Sequence, residues 1–329
     1  MTILVTGGLG YIGSHTCVEL LKKNYSVVIV DNLINSEKKV LRKIKKLSSC
    51  KPFFYEIDIT KKNNLEKIFS LHDISGIIHF AGLKEVGESF EKPLFYYYNN
   101  IVGTLNLLEL SLKYKVKKFV VSSSATVYGN NKVPHKEDMA LGVTTNPYGE
   151  TKKIIERIIN DFISANEDYS ATILRYFNPI GAHPSGLLGE SPLGVPNNLM
   201  PYLLKVAKGD LACLSVYGND YDTIDGTGIR DYIHVMDLAR GHIAALEKIK
   251  KGVSVYNLGT GSGTSVLELI NLFEKVNGIK VRYEIVGRRA GDIVTSYADV
   301  KKIKKELNFK TNFTLEDMVR DSWNYGKRN

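Results

Sequence analysis

The chain has 329 residues, 43% of them hydrophobic, enough for one large domain or two modest ones with a buried core. Its 44 Lys and Arg outnumber its 35 Asp and Glu, giving a net charge of +9. The lysines fall in short groups with apolar residues spaced among them (Lys43 to Lys46, Lys113 to Lys118, Lys248 to Lys251, Lys301 to Lys305). That is the texture of solvated helix faces and argues against nucleic acid as a partner.

No apolar stretch approaches the length needed to cross a bilayer, and the first residues lack the basic flank and apolar run of a signal peptide. Cys17, Cys50 and Cys213 are widely spaced and give neither metal-ligand spacing nor a disulfide framework. The expectation is a protein without membrane or metal in a reducing, cytoplasmic setting.

In chain order, Thr2 to Thr6 reads as a buried strand running into Gly7-Gly8-Leu9-Gly10-Tyr11-Ile12-Gly13. A helix is predicted over Ser14 to Lys23 and a strand over Ser26 to Val30, ending at Asp31. Strand, glycine turn, helix, strand and acidic residue within about thirty residues make one βαβ unit. The glycines permit a tight turn, close approach of backbone to a pyrophosphate, and close packing of helix on strand. The helix N-terminus then presents N–H groups to the phosphates. Asp31 can accept hydrogen bonds from the adenosine ribose and would repel a 2′-phosphate, which points to NAD and not NADP.

The alternation continues with strands predicted over Lys51 to Ile57, Ile74 to Phe80, Lys117 to Ser122 and Ser170 to Arg175. Helices are predicted over Thr60 to Leu71 and Pro93 to Tyr114. This pattern predicts an α/β fold with a doubly wound, Rossmann-type parallel sheet. Gly7 to Gly13, Asp31, Asp58, Phe80 to Lys84 and Ser124 all fall at strand ends, where such sheets bind ligands.

Asn146 and Pro147 are a good N-cap and first residue for a helix from Tyr148 to Ala165. Tyr148 and Lys152 then share one face, one turn apart. A nearby ammonium favours the phenolate, so Tyr148 is a candidate proton acceptor. The spacing is equally that of a surface Tyr and Lys on an ordinary helix.

After about Tyr176 the texture changes. Residues 177 to 201 are rich in Gly, Pro and Asn, as in a long binding loop. Helices follow over Leu199 to Lys208, Val235 to Ile249, Ser265 to Val276, Asp299 to Leu307 and Thr314 to Tyr325. Strands are predicted over Ile229 to Ile233, Ser254 to Asn257 and Lys280 to Ile285. The expected division is a Rossmann domain over residues 1–176 and a smaller C-terminal α/β substrate lobe over 177–329, some of whose segments return to the first domain.

These landmarks resemble the extended short-chain dehydrogenase/reductase family, and within it the UDP-hexose 4-epimerase branch, from Thr6 almost to Trp323. The likeness is carried by the glycine turn with Ser14-His15, by Asp31-Asn32, His79 to Lys84, Ser122 to Gly129, and Tyr148 with Lys152. Further on it is carried by Arg175 to Asn178, Gly181 to Pro184, Pro196 to Pro201, Arg230 to His234, Arg288-Arg289 and Gly291-Asp292.

The resemblance implies a catalytic set of Tyr148, Lys152 and Ser124. It implies a bound NAD held by Gly7, Gly10, Tyr11, Ile12, Gly13, Asp31, Asn32, Asn35, Ser36, Asp58, Ile59, Phe80, Ala81, Gly82, Lys84, Asn99 and Phe177, together with the catalytic three. The implied UDP-sugar site is Asn178, Asn198, Leu199, Ser215, Tyr217, Arg230, Arg289, Asp292 and Ser296, again with Ser124 and Tyr148. Tyr217 would stack near the uracil, the two arginines would fork onto the pyrophosphate, and Asp292 would take the uridine ribose.

The implied activity is interconversion of UDP-glucose and UDP-galactose through a 4-keto sugar, with hydride leaving C4 and returning to it. Tyr148 would take the 4-hydroxyl proton, Lys152 would hold down its pKa, and Ser124 would orient the proton. Relatives that dehydrate carry an Asp-Glu pair where this chain has Ala125-Thr126, and those that decarboxylate carry a glutamate at Thr126. A one-way nucleotide-sugar oxidoreductase and a non-catalytic NAD-binding module are the remaining alternatives.

Ser296 falls where some epimerases have a bulky tyrosine, which implies acceptance of the UDP-GlcNAc and UDP-GalNAc pair as well. The family also forms homodimers through two helices per subunit, here Pro93 to Tyr114 and Tyr148 to Ala165; apolar packing on the sheet would look similar in sequence.

Overall fold

The continuous apolar runs pair as parallel strands in the computed structural model, which describes residues 1–194, 196–289 and 291–328. In chain order the first half contains β1 (Thr2–Thr6), α1 (Tyr11–Lys22), β2 (Ser26–Asp31), α2 (Val40–Ser48), β3 (Phe53–Glu56), α3 (Lys62–Leu71) and β4 (Ile74–His79). Then come α4 (Val86–Glu91), α5 (Pro93–Tyr97), a π-helical turn (Tyr98–Val102), α6 (Gly103–Tyr114), β5 (Lys118–Ser124), a 3₁₀ turn (Ala125–Tyr128), α7 (Pro147–Ala165) and β6 (Ser170–Tyr176).

The second half begins with β7 (Asn178–Ile180), α8 (Leu199–Lys208), β8 (Leu214–Tyr217), β9 (Ile229–Arg230) and β10 (Tyr232–His234). It continues with α9 (Val235–Glu247), β11 (Gly252–Leu258), β12 (Thr264–Ser265), α10 (Val266–Asn277), β13 (Tyr283–Val286), β14 (Thr295–Ser296), α11 (Lys301–Leu307) and α12 (Leu315–Gly326).

The chain forms two units. One comprises Met1–Val127, Val143–Arg175 and Ala239–Tyr256; the other comprises Tyr128–Gly142, Tyr176–Leu238 and Asn257–Asn329.

The first unit is built on a seven-stranded sheet of order β3-β2-β1-β4-β5-β6-β11. The pairings from β3 through β5 are parallel. This is the doubly wound order, with its reversal between β1 and β4. Ile3, Leu4, Val5, Val28, Ile29, Ile77 and Ile78 are fully buried. Helices cover both faces of such a sheet, so its strands read as unbroken apolar runs and not as alternation. Leu107, Ile155 and Ile159 of α6 and α7 join Leu4, Val30, Phe119 and Ile173 of the strands in one core.

The second unit has a core of its own. Leu203 and Leu204 of α8, Val216 of β8, Ile270 and Phe273 of α10, and Met318 and Val319 of α12 pack together. Its strands are short: β8 pairs parallel with β13, and β9 lies between β12 and β14. Asp231 organises the latter sheet. Its buried carboxylate accepts hydrogen bonds from Thr260 N (2.8 Å), Thr260 Oγ1 (2.6 Å), Gly261 N (3.0 Å) and Ala298 N (3.1 Å).

Several segments differ from expectation. No element was predicted over Val40–Ser48, where α2 forms; its lysine-rich turns bury only Ile44 and Ser48. No strand was predicted at β8, whose four residues are too few to show a period. The helix expected over Pro93 to Tyr114 is interrupted by the π-helical turn.

Candidate active site

The glycine turn follows β1 and leads directly into α1. Gly7 has φ +67° and lies against the start of the loop after β4: a Cβ on Gly7 would come within 2.8 Å of Ala81 N. A Cβ on Gly13 would come within 2.3 Å of Gly7 O. The closure needs bare glycine at both positions. Gly10 caps α1 without a side-chain hydrogen bond, and the first turn holds no acidic residue. A helix start of this kind presents backbone N–H groups that can bind an anion.

At the end of β2, Asp31 Oδ2 accepts from Leu9 N (2.9 Å), and Oδ1 accepts from Leu33 N (3.0 Å) and Ser36 Oγ (2.8 Å). The carboxylate that the sequence reading gave to a ribose therefore also ties the glycine turn to the loop after β2. Asp58 caps the turn before α3, accepting from Thr60 N and Thr60 Oγ1 at 2.8 Å each. A glycine cradle without capping side chains and an acidic residue at the end of β2 together fit a dinucleotide.

The loop after β4 is held from below by Asn100, inside the π-helical turn and 1% exposed. Its Oδ1 accepts from Leu83 N (2.8 Å), and its Nδ2 donates to Leu83 O (3.1 Å) and Thr151 Oγ1 (3.0 Å). Asn99 Nδ2 donates to the same Oδ1 at 3.0 Å. One amide thus links the Phe80–Lys84 loop to α7. Sequence reasoning named Asn99 and gave Asn100 no role; the signal was a tandem of amides inside an otherwise apolar helical run. π-Helical insertions of this kind are frequent at functional sites.

α7 begins as expected. Asn146 Oδ1 accepts from Gly149 N at 2.8 Å, and Pro147 occupies the first turn. Tyr148 (8% exposed) and Lys152 (6%) point inward to the end of β5, where Ser124 is 8% exposed. Ser124 and Tyr148 share a side-chain hydrogen bond. Lys152 Nζ donates to Ser122 O (2.9 Å) and Ser122 Oγ (3.3 Å). Ser124, Tyr148 and Lys152 are therefore brought together at the carboxyl end of β5.

The electrostatics correct one expectation. Lys152 was expected to hold the Tyr148 pKa down, yet burial raises the phenol above its ordinary value. The opposing influences are the Ser124 hydrogen bond and the charge of Lys84. The Lys152 ammonium is engaged with Ser122, and burial pulls its own pKa down to about 8, with Glu156 acting in the other direction. Nearby His79 is neutral: burial, then the Lys152 charge, pushes it to about 3. Thr104 Oγ1 donates to Asn100 O, so it accepts from His79 Nε2, and His79 Nδ1 accepts from Thr6 Oγ1 at 2.7 Å.

The second unit carries the residues assigned to the UDP-sugar. Arg289 Nη2 donates to Asp292 Oδ1 at 2.8 Å, and Arg230 Nη2 lies 3.9 Å from the same oxygen. The Arg289 guanidinium lies 5.4 Å from the centre of the half-exposed Tyr217 ring. Ser296, on β14, is the register partner of Arg230 on β9 and is 8% exposed. Asp292, expected at a ribose, here bridges the two arginines. Asn178 and Asn198 are exposed, Leu199 starts α8, and Ser215 lies on β8. Phe177 is buried in this unit, 6.1 Å from the His135 ring centre. Among the described residues no group of three or more acidic, His or Cys side chains could hold a metal ion.

The model of the NAD dependent epimerase/dehydratase family matches residues 3–259. The chain is 54% identical to a UDP-glucose 4-epimerase of Bacillus subtilis, over 100% of this chain and 98% of that protein. The crystal structure of a UDP-glucose 4-epimerase from Bifidobacterium longum in complex with NAD+ and UDP matches with a TM-score of 0.97 at 50% identity, covering 100% of this chain and 99% of that one. A UDP-Glc/GlcNAc 4-epimerase from Campylobacter jejuni matches with a TM-score of 0.86 at 35% identity, covering 100% and 99%.

Proposed function

The chain belongs to the NAD dependent epimerase/dehydratase family, and from that premise we propose that it is a UDP-hexose 4-epimerase interconverting UDP-glucose and UDP-galactose with NAD as a bound cofactor. The observation that carries this reading is the buried Ser124–Tyr148–Lys152 group at a strand end of the same sheet whose first turn is a glycine cradle. The relatives named above are UDP-glucose 4-epimerases over their whole length.

Bound NAD would supply the acceptor, and then the donor, of a hydride at sugar C4. Tyr148, as phenolate, accepts the proton of the 4-hydroxyl as the C4–H bond breaks, leaving a 4-keto sugar. Ser124 hydrogen-bonds Tyr148 and orders the proton path. Lys152 keeps a positive charge beside the reacting groups and, by the family resemblance, holds the nicotinamide ribose. When the keto sugar presents its other face, Tyr148 gives the proton back and the C4 configuration is inverted. Dehydration and decarboxylation need a carboxyl group next to Ser124, and Ala125 and Thr126 carry none.

Arg230 and Arg289 are assigned to the pyrophosphate, Tyr217 to the uracil, and Asn178, Asn198, Leu199 and Ser215 to the rest of the nucleotide sugar. Asp292, now shared by the arginines, is assigned to the uridine ribose. Ser296, the register partner of Arg230, is small, which supports a site that admits an N-acetyl group. The substrate range is therefore assigned to include UDP-GlcNAc and UDP-GalNAc, and the Campylobacter jejuni relative is described for both kinds of sugar.

The enzyme is assigned as a homodimer through the helical segment from Pro93 to Tyr114 and α7; on the first of these Leu94, Phe95, Tyr98 and Leu105 are exposed. Its setting is assigned as cytoplasmic, in keeping with three unpaired cysteines. Purified protein incubated with UDP-galactose and no added NAD should form UDP-glucose without net NADH; stoichiometric NADH release with a stable keto product would overturn the epimerase reading. Turnover of UDP-GalNAc by the parent and its selective loss in Ser296→Tyr test the range; no turnover in the parent would restrict it to the unsubstituted sugars.

A further inference from the structure

One turn beyond Lys152 on α7 lies Glu156, which is 3% exposed and faces the sheet. Arg175, at the end of β6 and 4% exposed, grips it: Arg175 Nε donates to Oε1 at 3.0 Å and Nη2 donates to Oε2 at 2.7 Å. Ser123 Oγ donates to Oε1 at 2.5 Å. Ser123 lies between Ser122, which holds Lys152, and Ser124, which holds Tyr148. One carboxylate therefore joins α7, β5 and β6 at the level of all three reacting side chains.

A buried ion pair is poor support for stability alone, because a well-packed apolar pair of similar volume is often as stable or more so. Two features give this pair a different use. Ser123, held by Glu156, is bonded in the chain to Ser122, which meets Lys152, and to Ser124, which meets Tyr148, so fixing Ser123 restrains both neighbours. Glu156 and Lys152 are also four residues apart on one helix face, and the Glu156 charge acts to raise the Lys152 pKa against burial. The remaining titratable groups near this ammonium are Tyr148 on α7 and His79 on β4; Lys84 acts on Tyr148, and Arg175 on Glu156 from β6.

We propose that Glu156, held by Arg175 and Ser123, is a positioning residue for the reaction: its carboxylate locks the Ser122–Ser124 end of β5 against α7, one turn from Lys152. The inference rests on the assignment of Tyr148 and Lys152 to C4 chemistry. The carboxylate offsets the burial that draws Lys152 down to about 8. Without it the ammonium loses its proton at lower pH and turnover fails earlier on the alkaline side.

The test is the pH profile of kcat for UDP-galactose in the NAD-loaded enzyme. Glu156→Gln keeps the shape and removes the charge; its alkaline limb should move down by at least about half a pH unit, with KM changed less than about twofold. Glu156→Asp, which keeps the carboxylate, should restore most of the limb. Ser123→Ala should lower kcat at every pH and leave the limb in place. If Glu156→Gln does not fold, Glu156→Met combined with Arg175→Met removes the neutral pair at similar volume and with it the link from α7 to β5, so kcat should fall at every pH. A folded, NAD-bound Glu156→Gln enzyme with the parent limb, or a folded double variant with the parent kcat, would overturn the proposal. Absence of turnover in the parent enzyme would instead overturn the epimerase reading itself.

Discussion

Tyr148 sits where burial works against its task. Desolvation raises the phenol pKa above its ordinary value, and the Ser124 hydrogen bond and the Lys84 charge pull against it. Removing Lys84 should therefore move the acid limb of kcat upward: Lys84→Met is expected to shift it by about half a pH unit, read from the full pH profile of kcat. Tyr148→Phe should still hold NAD and lose at least about a hundredfold in kcat. Retention of more than about a tenth of the activity, a loss under about 1.4 kcal/mol of barrier, would remove Tyr148 from its role.

His135 affords a stability test. It is fully buried, stacked 4.7 Å from Tyr128, and neither ring nitrogen has a hydrogen-bond partner. Burial pushes its pKa to about 4 from an ordinary 6.5. The unfolded chain takes up this proton first, so stability is full above pH 6.5 and declines as the pH falls towards 4. His135→Phe should keep the stack and flatten that decline by up to about 1.4 kcal/mol per pH unit, read from urea midpoints at pH 7 and pH 5. An unchanged decline would show that the imidazole is not its source.

At the scale of elements, the glycine turn and α7 carry the reading. Gly13→Ala would force a Cβ to 2.3 Å from Gly7 O and open the turn. The variant should purify without NAD and be destabilised by about 1–3 kcal/mol, measurable from the bound-nucleotide absorbance and the unfolding midpoint. Both elements were legible in the sequence because each announces itself locally. A strand followed by glycines, and Asn146-Pro147 followed by an apolar period, need no distant partner to be recognised.

The elements that escaped prediction depend on distant residues. Asn100 acquires its role only when Leu83 and Thr151 are brought to it. The Tyr148 pKa is set by depth of burial and by Lys84, not by the i,i+4 lysine that the spacing suggested. The pairing of Asp292 with two arginines likewise joins β9 to the Arg289 loop, 62 residues away in sequence for Arg230 (292 less 230).

At the scale of the whole molecule, the exposed apolar side chains of α4–α6 are the clearest sign of a partner surface. Leu94 is 82% exposed and Phe90 is 56% exposed. Large apolar groups clustered in this way mark association sites. Leu94→Glu combined with Phe90→Glu should convert a dimer to a monomer in analytical ultracentrifugation; a parent chain that sediments as a monomer would remove the dimer assignment. Lys22, Lys23, Lys62, Lys92, Lys113 and Lys117 are each paired with acidic side chains on the surface. Among the described residues no helix is long and apolar enough to cross a membrane.

The central claim is that one hydride leaves C4 and comes back to the same carbon without leaving the enzyme. UDP-galactose carrying deuterium at C4, given to the purified protein without added NAD, tests it directly. The account predicts UDP-glucose with the deuterium still at C4 and no labelled NADH in solution. Deuterium appearing in released NADH, or a C4 position filled by hydrogen from solvent, would contradict it.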